Sequence, residues 1–415
     1  VPIPTTAAKG RVEDLLPRSA FIVAAVRTPI GKFLGGLSSL SAADLGAAAL
    51  REVLRRAPAP AGAVDEVIFG NARQAGGGPN VARQIAVRAG IPVEVPAYTV
   101  NMACASGMKC VALAAQAIAD GEANVVAAGG AETMSRVPYL LDRARVGYRM
   151  GNTEVVDAMY RDGFLCPLAN QVMGETAENL VDQYGIAREE QDAFALESQR
   201  RAAAAIGGGR FDREIVAVEV PGAKGDAARV TADEHPRPDA TADGLARLAP
   251  VFRKAGTVTA GNSSGIVDGA AALLLADEAS AARLGLPRRA RVVGWAQAGV
   301  EPRVMGIGVV PAVRRLLDKT GLRLEDFDLV EMNEAFAAQV LAVLREVPVD
   351  RARLNVNGGA IALGHPIGAT GARILVTLLH EMERRGARRG LAALCVSGGQ
   401  GMAVALERPS NGGSV

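Results

Sequence analysis

Short apolar runs rich in Val and Ile, namely "FIVAAV", "VDEVIFG", "YTVNMA" and "NVVAAGG", alternate along the chain with Ala- and Leu-rich stretches such as "SAADLGAAALREVLRRA" and "MKCVALAAQAIADG". Runs of about four to eight apolar residues without polar alternation predict strands buried on both faces, and the longer stretches predict helices. Their alternation predicts an α/β protein with mostly parallel strands.

The pattern then occurs a second time. "VDEVIFGN" leads through a helix to "YTVNMACASGMKCVALAAQAI" and on to the Gly-ended strand "ANVVAAGGAE"; "FDLVEMNEAF" leads through a helix to "RLNVNGGAIALGHPIGATGARILVTLLHEM" and on to "GLAALCVSGGQGMAVAL". The order is the same in both: a strand that opens on Asp, a helix, a strand ending in a small-residue turn, a long helix, and a strand ending Gly-Gly. Two copies of one βαβ-type unit are therefore expected, packed face to face with their turns meeting. Residues 136–256 differ, with much of the charge and the Pro- and Gly-bearing stretch "VPGAKGDAARVTADEHPRPDATADG". They read as an inserted loop domain over a site. The expected division is an N-terminal extension over 1–20, a first half over 21–135 and 257–285, the insertion over 136–256, and a second half over 286–415.

Composition narrows the function. The chain has 415 residues, 48 of them Gly, and a formal net charge of +2, so no strong field draws it to nucleic acid or to an anionic membrane. No apolar run reaches the roughly 18 residues of a membrane span, and "VPIPTTAAKGRVEDLLPRSA" is not built like a secretory signal. Four irregularly spaced cysteines argue for free thiols in a reducing compartment, and a cytoplasmic protein is expected.

Among those cysteines, Cys104 stands where a strand ends and a helix begins, with Ala105, Ser106 and Gly107 in the first turn. Unpaired backbone N–H groups and the helix dipole favour a thiolate there, so a lowered thiol pKa is expected and Cys104 is a candidate nucleophile. Cys110 lies six residues on, about 240° round the helix, and reads as packing, as does Cys166. A metal site is not expected, because no His lies near the pair, and the C-x-x-C spacing of a redox pair is absent. Of the three histidines, His235 and His380 read as solvated surface. His365 sits in "NGGAIALGHPIGATG", among Gly358, Gly359, Gly364, Gly368 and Gly371, where glycines suit close backbone approach to a ligand. In the repeat it occupies the region equivalent to Cys104, so the two are expected to meet. Cys395, before "VSGGQG", and Asn333, in "MNEAFAAQ", end further strands of the second unit.

These residues fall in four ordered blocks: "NMACASGMKCVALAAQAI", "GTVTAGNSSGIVDGAAALLL", "NEAFAAQ" with "NGGAIALGHPIGATGAR", and "CVSGGQGMA". With them, over residues 20 to 408, the chain resembles the thiolases, close to the acetyl-CoA C-acetyltransferase branch. The resemblance implies a thiolase-like α/β fold of two βαβαβαββ halves packed together with a loop domain, and a homotetramer or homodimer, related enzymes carrying a tetramer-forming loop at 136–165. It implies that Cys104 is the acylated nucleophile, His365 its base, and Cys395 the acid/base at the substrate α-carbon. Asn333 would hold a water that, with His365, binds the enolate oxygen. Backbone N–H groups of Cys104 and of the Ser397–Gly398 turn would hold the tetrahedral intermediate. Coenzyme A, as substrate and product with no separate cofactor, would lie along Arg237, Phe252, Ala260 and Ser264, with Met173, Ala335 and Phe336 near the pantetheine.

The chain departs from the family pattern at Val172, where many acetoacetyl-specific members carry His, at Ser397, where many have Gly, and at Val267, where Asn is common. The resemblance thus implies condensation of two acetyl-CoA, or the reverse thiolysis. A broader-chain 3-ketoacyl-CoA thiolase stands as the alternative. A catalytically silent acyl-CoA-binding module is the reading from a different class. A ketoacyl synthase is disfavoured by the second cysteine. A nucleotide-binding dehydrogenase is disfavoured because no G-x-G-x-x-G follows the first strand.

Overall fold

The computed structural model describes residues 16–222 and 226–409, so the expectation for the N-terminal extension lies outside it for residues 1–15. Nine strands form the body of one mixed sheet: β1 (Ala20–Arg27), β2 (Glu66–Gly70), β3 (Ala97–Val100), β4 (Val125–Thr133), β5 (Val267–Asp277), β6 (Ala290–Gly299), β7 (Leu329–Met332), β8 (Arg389–Val396) and β9 (Gln400–Glu407). Their order is β7-β8-β9-β6-β1-β5-β4-β2-β3, with the two-residue strand Gly31–Lys32 attached to β5. All positions of β4 and β5 are buried, as an apolar run without alternation requires of central strands.

The order has a local symmetry about the β1–β6 junction. β1, β5, β4 and β2 on one side match β6, β9, β8 and β7 on the other, and the counterpart of the β2–β3 pair is a single parallel bridge between Val330 and Leu354. Two of the expectations need correction. The halves join edge to edge through Phe21 opposite Arg291 and Ile22 opposite Ala290, in addition to packing on one another. Among the ladders between these nine strands, parallel pairing is confined to β2–β3, β2–β4 and β7–β8, while the ladders made by β1, β5, β6 and β9 are antiparallel, because each half returns on itself through a final strand. The strand expected at "RLNV" shrinks to its one bridge. There Asn355 turns to φ 44°, and its side chain takes the place of a ladder, accepting from Met332 N at 2.8 Å and donating to Met332 O at 2.8 Å.

Helices flank the sheet: α1 (Ala42–Arg56), α2 (Val81–Arg88), α3 (Ser106–Asp120), α4 (Met173–Tyr184), α5 (Arg188–Gly207), α6 (Val309–Thr320), α7 (Ala337–Glu346) and α8 (Ile367–Arg385). The repeat-related pair α3 and α8 share a core with both halves, in which Met108, Val111 and Ile118 meet Leu375, Leu378 and Leu379 together with Ile68 and Val126 of one half and Leu394 and Met402 of the other. They cross at glycine. A Cβ on Gly107 would lie 2.8 Å from Ala372 N, and one on Gly371 would run into the Met108 backbone. The glycine density around His365 thus serves backbone-to-backbone approach of two helices at Gly371, a use the sequence reading had assigned to a ligand.

The stretch 136–256 reaches both halves. Ala177 of α4 and Phe194 of α5 pack with Val330, Met332 and Phe336, while Val218 and Val220 pack into the core under α1. Arg27, fully buried at the end of β1, is held by Glu214 (2.6 Å) and Asp233 (2.7 Å) of that stretch. A buried guanidinium needs both partners, since either carboxylate alone would leave part of its charge uncompensated. Among the described residues no helix is long and apolar enough to cross a membrane.

Candidate active site

Cys104 lies in a one-turn 3-10 segment, Ala103–Ala105, between β3 and α3. The turn is tight enough to force Ala103 to φ 44°, a region disfavoured for a side chain with Cβ. Ser106 holds it. Its Oγ accepts from Met102 N at 2.9 Å and donates to Ala103 O at 2.7 Å, while Asn101 Oδ1 accepts from Ala103 N at 3.0 Å. The result presents Cys104 half-buried, whereas Cys110, Cys166 and Cys395 are buried; all four are free thiols.

Two strand ends of the other half supply neighbours. The hairpin from β8 to β9 turns on Gly398 (φ 86°) and Gly399 (φ 85°), which sets the Ser397 N–H before them on the side of Cys104, where it favours the thiolate. Cys395, opposite Gly401 in that hairpin, feels the charge of Cys104 directly. Burial pushes the Cys104 thiol up, and the Ser397 N–H and the Arg73 guanidinium only partly offset it. This corrects the expected low thiol pKa, because the helix-end position is outweighed by removal from water. Burial and the neighbouring Cys104 push Cys395 up as well.

His365 precedes α8, is buried, and its backbone N–H donates to Gly265 O at 3.1 Å. Its Nδ1 lies 2.6 Å from Thr370 Oγ1, and the Thr370 hydroxyl donates to Pro366 O at 2.9 Å. With its one proton directed there, Thr370 accepts from Nδ1–H, which leaves Nε2 as the lone-pair nitrogen. Asn333 Nδ2 stands 3.5 Å from that Nε2. Burial, and then the charges of Arg373 and Arg73, push His365 down to about 3, so the imidazole is neutral. Asn333 itself extends β7, its N–H donating to Ala393 O at 2.9 Å, and its buried Oδ1 has no partner among the described residues. Ile367 shares a small apolar cluster with Cys104, Ala72 and Met134, which brings the start of α8 to the nucleophile's side.

Sequence reasoning missed three residues that build this arrangement: Ser106, Thr370 and Glu132. Glu132 is fully buried at the end of β4 and accepts from Asn71 Nδ2 (2.7 Å), Ala72 N (3.1 Å), Arg73 N (3.1 Å) and Gly368 N (2.8 Å). It ties one half to the helix start of the other. A lone acid after the small-residue run "VVAAGGA" was the available signal, since a charge there has nowhere to go but the interior.

The residues expected along coenzyme A divide into a cluster and a rim. Met173, Phe252, Ala335 and Phe336 share one apolar cluster, with the Phe252 and Phe336 rings edge to face at 6.1 Å. Gly174 leaves room for the Phe252 ring, which any Cβ there would strike. Ser264 N donates to Ala335 O at 3.0 Å, so that strip is fastened beside the cluster, and Ala260 lies exposed at its start. Arg237 is exposed, its backbone N–H donating to Gln199 Oε1 at 2.9 Å. The two remaining histidines are not the solvated groups expected. His235 Nδ1 bonds Ala362 O at 2.8 Å, with its ring over Gly265, and His380 Nε2 bonds Ala25 O at 3.0 Å between α8 and β1. Burial pushes both below the ordinary imidazole range.

Known proteins resemble the chain over nearly its whole length. The sequence matches the family description "Thiolase, N-terminal domain" over residues 20–279 and "Thiolase, C-terminal domain" over 286–408. It is 56% identical over 387 residues to the acetyl-CoA acetyltransferase of Pseudomonas aeruginosa, covering 93% of this chain and 98% of that protein. It is 53% identical over 392 residues to that of Escherichia coli K12, covering 94% and 99%. Among solved structures, the acetyl-CoA acetyltransferase of Bacillus anthracis superposes with a TM-score of 0.93 at 47% identity (95% of this chain, 100% of that one). Human mitochondrial 3-ketoacyl-CoA thiolase gives 0.92 at 42% identity over the same shares. By family match, sequence and fold, the chain belongs to the thiolases.

Proposed function

We propose that the protein is an acetyl-CoA C-acetyltransferase, joining two acetyl-CoA into acetoacetyl-CoA and CoA, or running the reverse thiolysis, through an acyl group on Cys104. The observation that carries the reading is the meeting of the two halves at one place, with Cys104 of the first in one apolar cluster with Ile367 at the start of α8, and His365 beside it 3.5 Å from Asn333.

Because Cys104 is a thiol and His365 a free base, the nucleophile is made during attack. Sulfur adds to the thioester carbonyl as its proton passes to His365 Nε2. The departing CoA thiolate takes the proton of Cys395, whose burial makes the resulting thiolate strongly basic. That thiolate removes a proton from the methyl carbon of the second acetyl-CoA. The enolate oxygen is met by the His365 Nε2–H and by a water that Asn333 holds. Carbon–carbon bond formation expels Cys104, which recovers its proton from His365, and all three groups return to their starting forms.

Coenzyme A lies in this reading over the Met173–Phe252–Phe336 cluster, with Ala260, Ser264, Ala335 and Arg237 at its side, and residues 136–256 cover it. The exposed apolar residues Tyr139, Val146, Met150 and Leu168 of that segment support a homo-oligomer, a tetramer by preference. The names of the curated relatives, acetyl-CoA acetyltransferases at 53–56% identity over nearly their whole length, support short acyl groups. The experiment is to treat the enzyme with labelled acetyl-CoA and map the label, then compare thiolysis of 3-ketoacyl-CoAs of increasing length. Label on Cys104 that Cys104→Ser abolishes, with rates falling as chains lengthen, is expected. An unlabelled Cys104 in folded protein sinks the mechanism, and a rate that climbs with length sinks the acetyl assignment.

A further inference from the structure

Helix α8 is buried almost throughout, yet one of its faces carries a polar stripe: Thr370, Arg373, Thr377 and Glu381, spaced at three and four residues and each at most 3% exposed. Thr370 bonds His365, Thr377 Oγ1 donates to Glu214 Oε1 at 3.1 Å, and Glu381 accepts from Asn357 Nδ2 at 3.1 Å. Arg373 is the exception. Its three guanidinium nitrogens have no hydrogen-bond partner among the described residues, and the nearest carboxylate, Glu331 Oε2, is 3.9 Å away. A buried cation left without close partners is costly to keep, which asks what it is kept for.

The placement answers. Glu331 lies two residues before Asn333, so their side chains leave β7 on the same face; Arg373 lies one helical turn beyond Thr370 on the same face of α8. The facing pair Glu331–Arg373 therefore repeats, one layer deeper, the facing pair Asn333–His365. We propose that Arg373, facing Glu331 across the gap between β7 and α8, is a positioning residue for the catalytic base: the buried pair sets the spacing of those two elements, on which the Asn333–His365 contact depends. The proposal rests on the assignment of His365 as the base.

The charges that bear on His365 are Arg373 from α8 and Arg73 from the segment after β2. Other titratable groups in the elements around it are Cys104 before α3, Cys395 in β8, Glu132 at the end of β4, Glu331 in β7, Glu334 just after it, and His235 over Gly265. Burial pushes Glu331 up to about 8, so at neutral pH it cancels little of the Arg373 charge.

The test compares Arg373→Met, Arg373→Lys and Glu331→Gln for fold by circular dichroism, for kcat and KM of acetoacetyl-CoA thiolysis, and for the pH profile of kcat/KM. Removing the cation makes His365 easier to protonate. Arg373→Met, which loses the spacing of β7 and α8 as well as the charge, is expected to lose roughly tenfold or more in kcat at unchanged KM, with the acid limb of kcat/KM at higher pH. Arg373→Lys, which keeps the charge, returns the acid limb to its wild-type position. Glu331→Gln lowers kcat without raising that limb. A folded Arg373→Met enzyme with wild-type kcat and profile overturns the proposal, as does an equal upward shift in Glu331→Gln, the mark of a loosened core. Should Arg373→Met not fold, wild-type kcat in both other variants overturns it. His365→Asn is the control: full activity there would refute the base assignment itself, and its loss with normal Arg373 variants refutes only the present inference.

Discussion

The His365 Nδ1 is 2.6 Å from Thr370 Oγ1, and the hydroxyl proton of Thr370 is directed to Pro366 O at 2.9 Å. One hydroxyl thereby selects which imidazole nitrogen carries the proton, and the catalytic face receives the bare Nε2. The lock is local, made within one turn of α8 and independent of substrate.

Thr370→Val keeps shape and volume while removing the acceptor. The imidazole is then free to adopt the other tautomer and to tilt, so kcat for acetoacetyl-CoA thiolysis should fall by about ten- to a hundredfold with KM changed little. Thr370→Ser should retain most of the rate. Equal kcat for the Val and Ser variants would show that the hydroxyl does not orient the base.

The protonation state of the nucleophile gives a second expectation. Burial raises the Cys104 thiol above its ordinary value, and a raised thiol yields thiolate only as pH climbs. Alkylation of Cys104 by iodoacetamide should therefore still be accelerating above about pH 8.5, where an unperturbed thiol is half ionised. Peptide mapping should find Cys110, Cys166 and Cys395 protected by burial. A rate that levels off by pH 7 would point instead to a preformed thiolate.

Much of this was readable beforehand because the strand–helix alternation and its repetition are written in apolar runs, and because Cys104, His365 and Cys395 each stand at a strand or helix end among small residues. What was not readable depended on partners far away in sequence. The rise in the Cys104 thiol comes from burial against the opposite half, which no local helix-end argument contains. His380 faces Ala25 across 355 residues, and nothing in "LLHEMERRG" marks that side of α8 as the inner one. Parallel pairing was overestimated because apolar runs report burial on both faces and carry no information on strand direction.

The crossing of α3 and α8 yields a third expectation. A Cβ at Gly371 would collide with backbone atoms of Met108, which cannot rotate away as a side-chain end would. Gly371→Ala should cost about 3 kcal/mol or prevent folding, in spite of the better helix propensity of Ala, as overpacking at a backbone contact outweighs a gain of about 1 kcal/mol. Gly386→Ala, at φ 69° past the end of α8 with nothing within 4 Å, gives the comparison: its cost is backbone strain alone. Urea unfolding of both variants measures the difference, and a Gly371→Ala protein no less stable than Gly386→Ala would contradict the close crossing.

The exposed apolar residues of the 139–168 stretch lead to the last expectation. Val146 is 80% exposed and Met150 95%, with Tyr139 and Leu168 also largely in water. Scattered single apolar residues on a surface need no explanation, but eight exposed large apolar side chains within thirty residues are what an interface leaves when its partner is removed. If copies of this chain cover them, placing charge at Val146 and Met150 removes the apolar drive for association while leaving in place Met159 and Phe164, the residues of the stretch that share a cluster with Cys104. The double variant Val146→Asp, Met150→Asp should thus elute, by light scattering, at about half the wild-type mass or less, while each remaining assembly still forms acetyl-Cys104. An unchanged mass would separate these residues from assembly. A lowered mass together with loss of acetylation would show that the site is incomplete without the neighbouring copy.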